Sequence, residues 1–326
     1  MRASGPSGPT SGLCHHPRVP GRVDDECVRH EAVCNFRLPT VPPPSIFNYS
    51  SIFLPYNLTL AEAKSRPFHV YDPEFYAVIG ANPKLSRVFG NPDYAAAHGA
   101  AVYDEPTNTL FFAANAGGPK GFSGLNSTNR VFRMNVTEAE RAASTATLND
   151  DGDYVGANVT LHQIPTANLE NVNGGAKYNG QIAFMTEGRS DNLVSQITLV
   201  NPMEPYNFTV LLNNFFGRQF NSLNDAAYHR ATGDLFFTDV DYGYLSGWAE
   251  CAIISSHGPS SCFGSQHWMG DGIAVYNPLG RLIGKIFVGS TSANFAWGGD
   301  GKLFILAETK VYLAEIAAKG DPVWRN

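Results

Sequence analysis

Residues 220–243 have the sequence FNSLNDAAYHRATGDLFFTDVDYG, and the rest of the chain is organised around this stretch. Two short apolar runs, at 226–228 and 235–238, flank a turn in which Gly233 can take a positive φ. The pattern predicts a β-hairpin whose strand ends carry oxygen-bearing side chains. Such carboxylates and amides can line a site for a hard cation, and the same side chains also serve as ordinary turn formers.

Three other segments repeat this unit of strand, turn, apolar strand and polar stop. The strand pairs are 102–104 with 110–112, 178–180 with 182–184, and 295–297 with 303–305. The second strands are followed by the polar stops Asn115, Glu187 and Glu308. Four copies of one hairpin unit, separated by loops of unequal length, are typical of β-propeller blades. The sequence therefore predicts an all-β fold, and within it a β-propeller.

Composition narrows the class of partner. The chain has 326 residues and a net charge of −6, and it contains no run of lysine or arginine, which disfavours nucleic acid and anionic membranes as partners. No apolar run has the length of roughly 18 residues that a transmembrane helix needs. The best helix candidate is short, at 137–146.

The chain divides into a central domain and two tails. Residues 1–60 are rich in proline, glycine and serine and are expected to be a disordered tail or a wrongly assigned start. The propeller is expected at 61–319, with an atypical seam at 245–268 that lacks strand alternation, and a short tail at 320–326. Six glycosylation sequons favour a secretory route, whereas the first residues lack the apolar segment of a signal peptide, so both compartments stay open.

A series of longer motifs follows one order along the chain: VYDEPTNTLFF, YNGQIAF, LFFTDVDYGYL and GKIFVGSTSANFAWGGDGKLFILAETKVY. Over roughly residues 67–319, without the seam, this series resembles the fungal lactonohydrolases of the gluconolactonase, senescence-marker-protein and luciferin-regenerating-enzyme family. The resemblance implies a six-bladed β-propeller with Ca²⁺ in its central channel. It also implies hydrolysis of a small lactone, either a sugar lactone or one of fungal secondary metabolism, by a monomer.

The resemblance places some site residues and leaves others without a match. Asn224, in the Ser-Leu-Asn-Asp motif, matches a channel asparagine of the family and is the expected metal ligand. Gly99 stands where the family has a glutamate ligand, and the family's Pro-Asn-Gly and Pro-Asp-Gly motifs are absent. We expect His98 to act as an acid or base near the channel. Asp239 and Asp241, at the end of an inner strand, are the other expected catalytic residues.

About one and a half blades are missing from this pattern. Either the seam at 245–268 replaces coding sequence that a correct transcript would contain, or the protein is a shortened and divergent propeller. The first interpretation favours a lactonase-like hydrolase. The second favours its alternative, an inactive propeller that acts as a binding or scaffold protein.

Overall fold

The protein is described here from a computed structural model that covers residues 32–35, 54, 58–117, 120–245 and 271–320. Most of the predicted N-terminal tail, nearly all of the seam at 245–268 and most of the short C-terminal tail lie outside the described residues. The described chain is mostly β-structure in several small sheets, most of whose strand pairs are antiparallel.

The described residues form short strands and four short helices. The helices are α1 (Leu60–Ser65), α2 (Phe75–Ile79), α3 (Val136–Ser144) and α4 (Tyr242–Leu245). The strands of the first half of the chain are β1 (Val33–Asn35), β2 (Phe68–Val70), β3 (Lys84–Gly90), β4 (Gly99–Asp104), β5 (Thr109–Ala113), β6 (Val131–Asn135), β7 (Thr147–Leu148), β8 (Tyr154–Val155) and β9 (His162–Gln163). The remaining strands are β10 (Val172–Tyr178), β11 (Gln181–Thr186), β12 (Gln196–Val200), β13 (Phe208–Leu212), β14 (Leu223–His229), β15 (Asp234–Asp239), β16 (Gly272–Tyr276), β17 (Leu282–Phe287), β18 (Asn294–Trp297), β19 (Lys302–Ala307) and β20 (Lys310–Glu315).

The four predicted hairpins are confirmed. They are the antiparallel pairs β4–β5, β10–β11, β14–β15 and β18–β19. Three of them continue outward into larger sheets, in the orders β4-β5-β6-β9, β10-β11-β12-β13 and β18-β19-β20-β3-β8-β7. The pair β14–β15 remains two-stranded within the described residues, and a further sheet has the order β1-β2-β17-β16.

Some local predictions need correction. The helix predicted at 137–146 is present as α3, where the Asn135 side chain caps the first turn by accepting a hydrogen bond from the Glu138 N–H at 3.0 Å. Residues 66–95, which precede the first hairpin, contain β2, α2 and β3. Of residues 158–164, only the two residues of β9 form a strand. Strand β1 lies within the segment that composition assigns to the tail, yet its residues Val33 and Cys34 are buried.

The first strands of the hairpins lie side by side at the centre. Strand β10 lies between β4 and β14, and β18 lies against β4. Glycine permits the closest approaches, because a Cβ atom on Gly99 would lie 1.9 Å from the Asn173 carbonyl oxygen. A Cβ atom on Gly174 would lie 2.2 Å from the carbonyl oxygen of Asn224. The backbones of β4, β10 and β14 are therefore in direct contact at these points.

The apolar core lies between neighbouring sheets. One cluster joins β5, β6 and α3 to β19 and β20, and it includes the fully buried Leu110, Phe112 and Phe304. Another joins the inner parts of β4–β5 and β10–β11 around Phe111 and Phe184. Within the described part of the chain, no helix is both long and apolar enough to cross a membrane.

Candidate functional site

The hairpin registers bring the polar stops to one end of the molecule. Gly99 pairs with Ala113, Val172 with Thr186, and Asn294 with Leu306. The start of each first strand thus lies beside the end of the second strand. Polar residues in or next to these pairs share that end, and they are His98 with Asn115, Asn173 with Glu187, and Asn294 with Glu308.

His98, Glu308 and Asn115 form one hydrogen-bonded group across two sheets. His98 Nδ1 lies 2.7 Å from Glu308 Oε1, and the Asn115 side-chain amide donates to Glu308 Oε2 at 3.0 Å. Burial acts to raise the pKa of Glu308, but the hydrogen bond and charge of His98 and the amide of Asn115 hold it below its ordinary value. Glu308 is therefore an ionised carboxylate that orients the imidazole ring.

Glu187 lies beside this group, and its pKa is shifted in the opposite direction from that of Glu308. Its carboxylate accepts a hydrogen bond from the Asn173 side-chain amide at 2.8 Å. Burial raises the pKa of Glu187 to about 7, and the charge of His98 partly offsets that rise. The charges of Glu187 and Asp241 also act with burial to raise the pKa of the Tyr242 hydroxyl. Near neutral pH, Glu187 can therefore both give and accept a proton.

Asp225 fills the space between the inner strands. Its carboxylate accepts hydrogen bonds from the backbone N–H groups of Gly175 at 3.1 Å and Ala226 at 2.8 Å, and from the Asn294 side chain. Burial raises the pKa of Asp225 to about 6 against these three hydrogen bonds. Because Asn294 belongs to β18 and Asp225 to β14, this contact links two hairpins that are distant in sequence.

The structure places the site residues predicted from the sequence in different surroundings. His98 lies in the group with Glu308, and Asp241 is buried near Tyr242. The Asp239 carboxylate accepts hydrogen bonds from the backbone N–H groups of Asn221 and Ser222 at 3.2 and 2.8 Å, so it is engaged within its own hairpin. Asn224 lies in a bulge of β14, half-buried against Gly174.

The described residues do not fit the Ca²⁺ site that the resemblance implies. The position matched to the family's glutamate ligand is Gly99, where the Asn173 carbonyl oxygen occupies the place of a side chain. Among the residues that the structure describes, no three His, Cys, Asp or Glu side chains are grouped so that they could hold a metal ion. Asn224 alone would leave a cation without the several oxygen ligands that Ca²⁺ prefers.

The residues that the sequence analysis did not name as site residues are Asn115, Asn173, Glu187 and Glu308. Three of them are the polar stops of the repeat, so the signal was present in the four aligned copies. What the pattern did not show is that the stops of different copies meet. Asn173 has no such signal, because it stands inside the first strand rather than at a stop.

The chain has the fold of gluconolactonase structures. It is similar to a structural-genomics structure with a provisional gluconolactonase assignment, at 15% identity and a TM-score of 0.54, over 78% of this chain and 99% of that chain. It is also similar to a gluconolactonase from Xanthomonas campestris, at 15% identity and a TM-score of 0.50, over 77% and 94% of the two chains. No family model and no curated protein sequence matches the chain.

Proposed function

We propose that this protein is a lactonase-like hydrolase, built on an incomplete β-propeller, that opens a small cyclic ester to a hydroxy acid. The observation that carries the proposal is the pairing of Glu187, whose pKa burial raises to about 7, with the His98–Glu308 couple at one end of the hairpins. A carboxyl group that exchanges protons near neutral pH, beside an imidazole held by a carboxylate, is suited to acid–base hydrolysis of an ester.

His98 acts as the general base in this proposal. The ionised Glu308 accepts a hydrogen bond from His98 Nδ1, which fixes the tautomer and makes Nε2 the nitrogen that takes a proton from water. The water oxygen then forms a bond to the lactone carbonyl carbon. Asn115 positions Glu308 by donating to its second carboxylate oxygen.

Glu187 acts as the general acid. In its protonated form it gives its proton to the ring oxygen as the carbon–oxygen bond of the ester breaks, so that water and lactone yield one hydroxy acid. The proton held on His98 then returns to Glu187, which restores both groups. The electrostatic influence of His98 on Glu187 provides the coupling for this return.

The other expected site residues take supporting roles in the proposal. Asp239 holds the start of β14 through Asn221 and Ser222, and Asp241 lies near Tyr242 beside Glu187. The gluconolactonase structures of the same fold make a sugar lactone the first substrate to test, with lactones of secondary metabolism as the second class.

The test is hydrolysis of glucono-δ-lactone and a panel of simple lactones, followed by pH-stat and corrected for spontaneous opening. We expect turnover by the wild type, and a loss of roughly 10²–10⁴-fold in kcat for Glu187→Gln and for His98→Gln. The matched control is Glu204→Gln, because the Glu204 side chain is 75% exposed and its ion pair is with Arg133, outside these contacts. Absence of wild-type turnover, or equal rates in Glu187→Gln and Glu204→Gln, would overturn the proposal.

One observation favours a second candidate function. The Asn173 carbonyl occupies the place of the family's glutamate ligand at Gly99, which is compatible with a propeller that binds a partner without catalysis. That alternative predicts no turnover of any lactone, and no dependence of any activity on Glu187.

A further inference from the structure

A second polar cluster surrounds Asp153, beside the six-stranded sheet that contains β20, β3 and β8. Three cationic side chains approach the same carboxylate oxygen, Asp153 Oδ2: Lys64 Nζ at 2.9 Å, Arg87 Nη1 at 3.4 Å and Lys310 Nζ at 3.5 Å. The Tyr312 hydroxyl donates to the other oxygen, Oδ1, at 3.1 Å. Asp153 itself is buried.

Four elements build this cluster. Arg87 belongs to β3 and is paired in register with Tyr312 of β20, and Lys310 begins the same strand. Lys64 lies in the last turn of α1. Asp153 stands just before β8, in a turn closed by hydrogen bonds with Asn149. Their arrangement is therefore fixed by paired strands and a capped helix rather than by free loops.

The charges of the cluster do not balance. Three cations face one carboxylate, and no second carboxylate contacts them within the part of the chain that the structure describes. Burial, together with the charges of Lys64 and Arg87, lowers the pKa of Lys310 although Asp153 acts to raise it. Like charges held this close repel, so a bound anion would stabilise the arrangement.

The cluster also has donors to offer an anion. The Arg87 and Lys310 side chains are 22% and 27% exposed, so solvent reaches them. Arginine and lysine side by side, with partly exposed heads, are the usual donors to phosphate oxygens.

We propose that Arg87 and Lys310, supported by Lys64, form a binding site for a small tetrahedral oxyanion of the phosphate class. The anion neutralises the two positive charges that Asp153 leaves uncompensated and accepts hydrogen bonds from the partly exposed heads of Arg87 and Lys310. The site shares no residue with the proposed hydrolase site, and the proposal holds whether or not the protein hydrolyses lactones.

The test is thermal unfolding of the full chain at constant ionic strength, with inorganic phosphate replacing chloride. At a phosphate concentration of roughly ten times the dissociation constant, we expect the wild-type Tm to rise by about 2–3 °C. Lys310→Gln and Arg87→Gln should lose this rise. Lys319→Gln is the matched control, because it removes the same charge from an exposed ion pair with Asp300 and should keep the full rise.

A phosphate-free measurement separates a binding role from a structural one. If Lys310 served only to stabilise Asp153, its removal would lower the Tm in chloride. Since Lys64, Arg87 and Tyr312 still satisfy Asp153, we expect Lys310→Gln to have a Tm in chloride at or above that of the wild type.

Isothermal titration of the wild type with inorganic phosphate and with a phosphate monoester identifies the source of the anion. Tighter binding of inorganic phosphate indicates the free ion, and tighter binding of the monoester indicates a phosphorylated ligand. The proposal is overturned if phosphate raises the wild-type Tm no more than chloride does, or if Lys310→Gln and Arg87→Gln keep the full response.

Discussion

The first and third hairpins carry the same three residues in their second strands and bury them very differently. Leu110, Phe111 and Phe112 of β5 are completely buried. In β15 the equivalent run is Leu235-Phe236-Phe237, in which Phe236 is 58% and Phe237 36% exposed. The turn, the register and the antiparallel pairing are alike, so the difference arises outside the hairpin.

Neighbouring sheets account for that difference. Strand β5 is flanked by β4 and β6, and the sheets of β10–β11 and β19–β20 pack on its two faces. Strand β15 pairs with β14 alone within the described residues. A hairpin is therefore specified by its own residues, whereas the burial of its side chains is specified by what packs on it.

The largest expected difference is in stability, between a variant that loses a phenylalanine of the first hairpin and one that loses the equivalent phenylalanine of the third. Phe111→Ala should lower the free energy of unfolding by about 3–5 kcal/mol, because it leaves a cavity in a closed core. Phe236→Ala should change it by no more than about 0.5 kcal/mol, because the ring is mostly in solvent. Urea unfolding of both variants measures the contrast. Equal losses would mean that β15 is covered in the native protein, and that the two hairpins do not differ in burial.

A smaller loss of stability is expected at β4, the first strand of the first hairpin, where it packs against β10. Gly99→Ala should destabilise the protein by about 1–3 kcal/mol, because the new methyl group would collide with the Asn173 carbonyl and force β4 and β10 apart. Gly124→Ala is the control, since a Cβ atom there would have no neighbour within 4 Å. A Gly99→Ala protein as stable as the control would show that β4 and β10 can separate without cost.

The polar stops of the hairpins also make the stability of the protein depend on pH. Glu187 binds its proton more tightly in the folded state, so its contribution to stability is present below its unfolded pKa and is lost as the pH rises from about 4.5 to 7. Glu187→Gln should therefore flatten stability across this window and raise it near pH 7 by on the order of 1–2 kcal/mol. Asp225, with its pKa raised to about 6, supplies a remaining slope at lower pH.

Urea unfolding between pH 4 and 8 measures this effect, with Glu204→Gln as the control for loss of one charge. A Glu187→Gln protein whose stability falls with pH as steeply as that of the control would show that Glu187 ionises normally in the folded protein.

The smallest expected effect concerns the stop of the third hairpin. Asp239→Asn weakens its hydrogen bonds to Asn221 and Ser222 and should cost about 1 kcal/mol of stability, in a sheet that contributes little to the core. In the proposed hydrolase its kcat should stay within about twofold of the wild type. A loss of kcat comparable to that of Glu187→Gln would show that Asp239 is a catalytic residue.

The hairpins were predictable from sequence because each depends on residues close together in the chain. Gly233 and the flanking apolar runs suffice to specify β14 and β15, and the same holds for the other copies. The site depends on contacts between copies, such as His98 with Glu308, whose distance in space no local pattern encodes. Asn224 and Asp239 stand in the most recognisable motif, whereas the other groups at this end of the hairpins come from less distinctive copies.

One further consequence follows from the pairing of β3 with β20. Strand β3 comes from near the start of the described chain and β20 from near its end, yet they are adjacent in one sheet. During synthesis one edge of β3 can pair with β8 early, but the other edge has no partner until β20 has been made. Closing such a long loop is slow, and an unpaired strand edge can join other chains in the meantime. Pairing of β20, the last strand of the described residues, with β3 therefore ends the period in which this edge of the nascent sheet is exposed to misassembly.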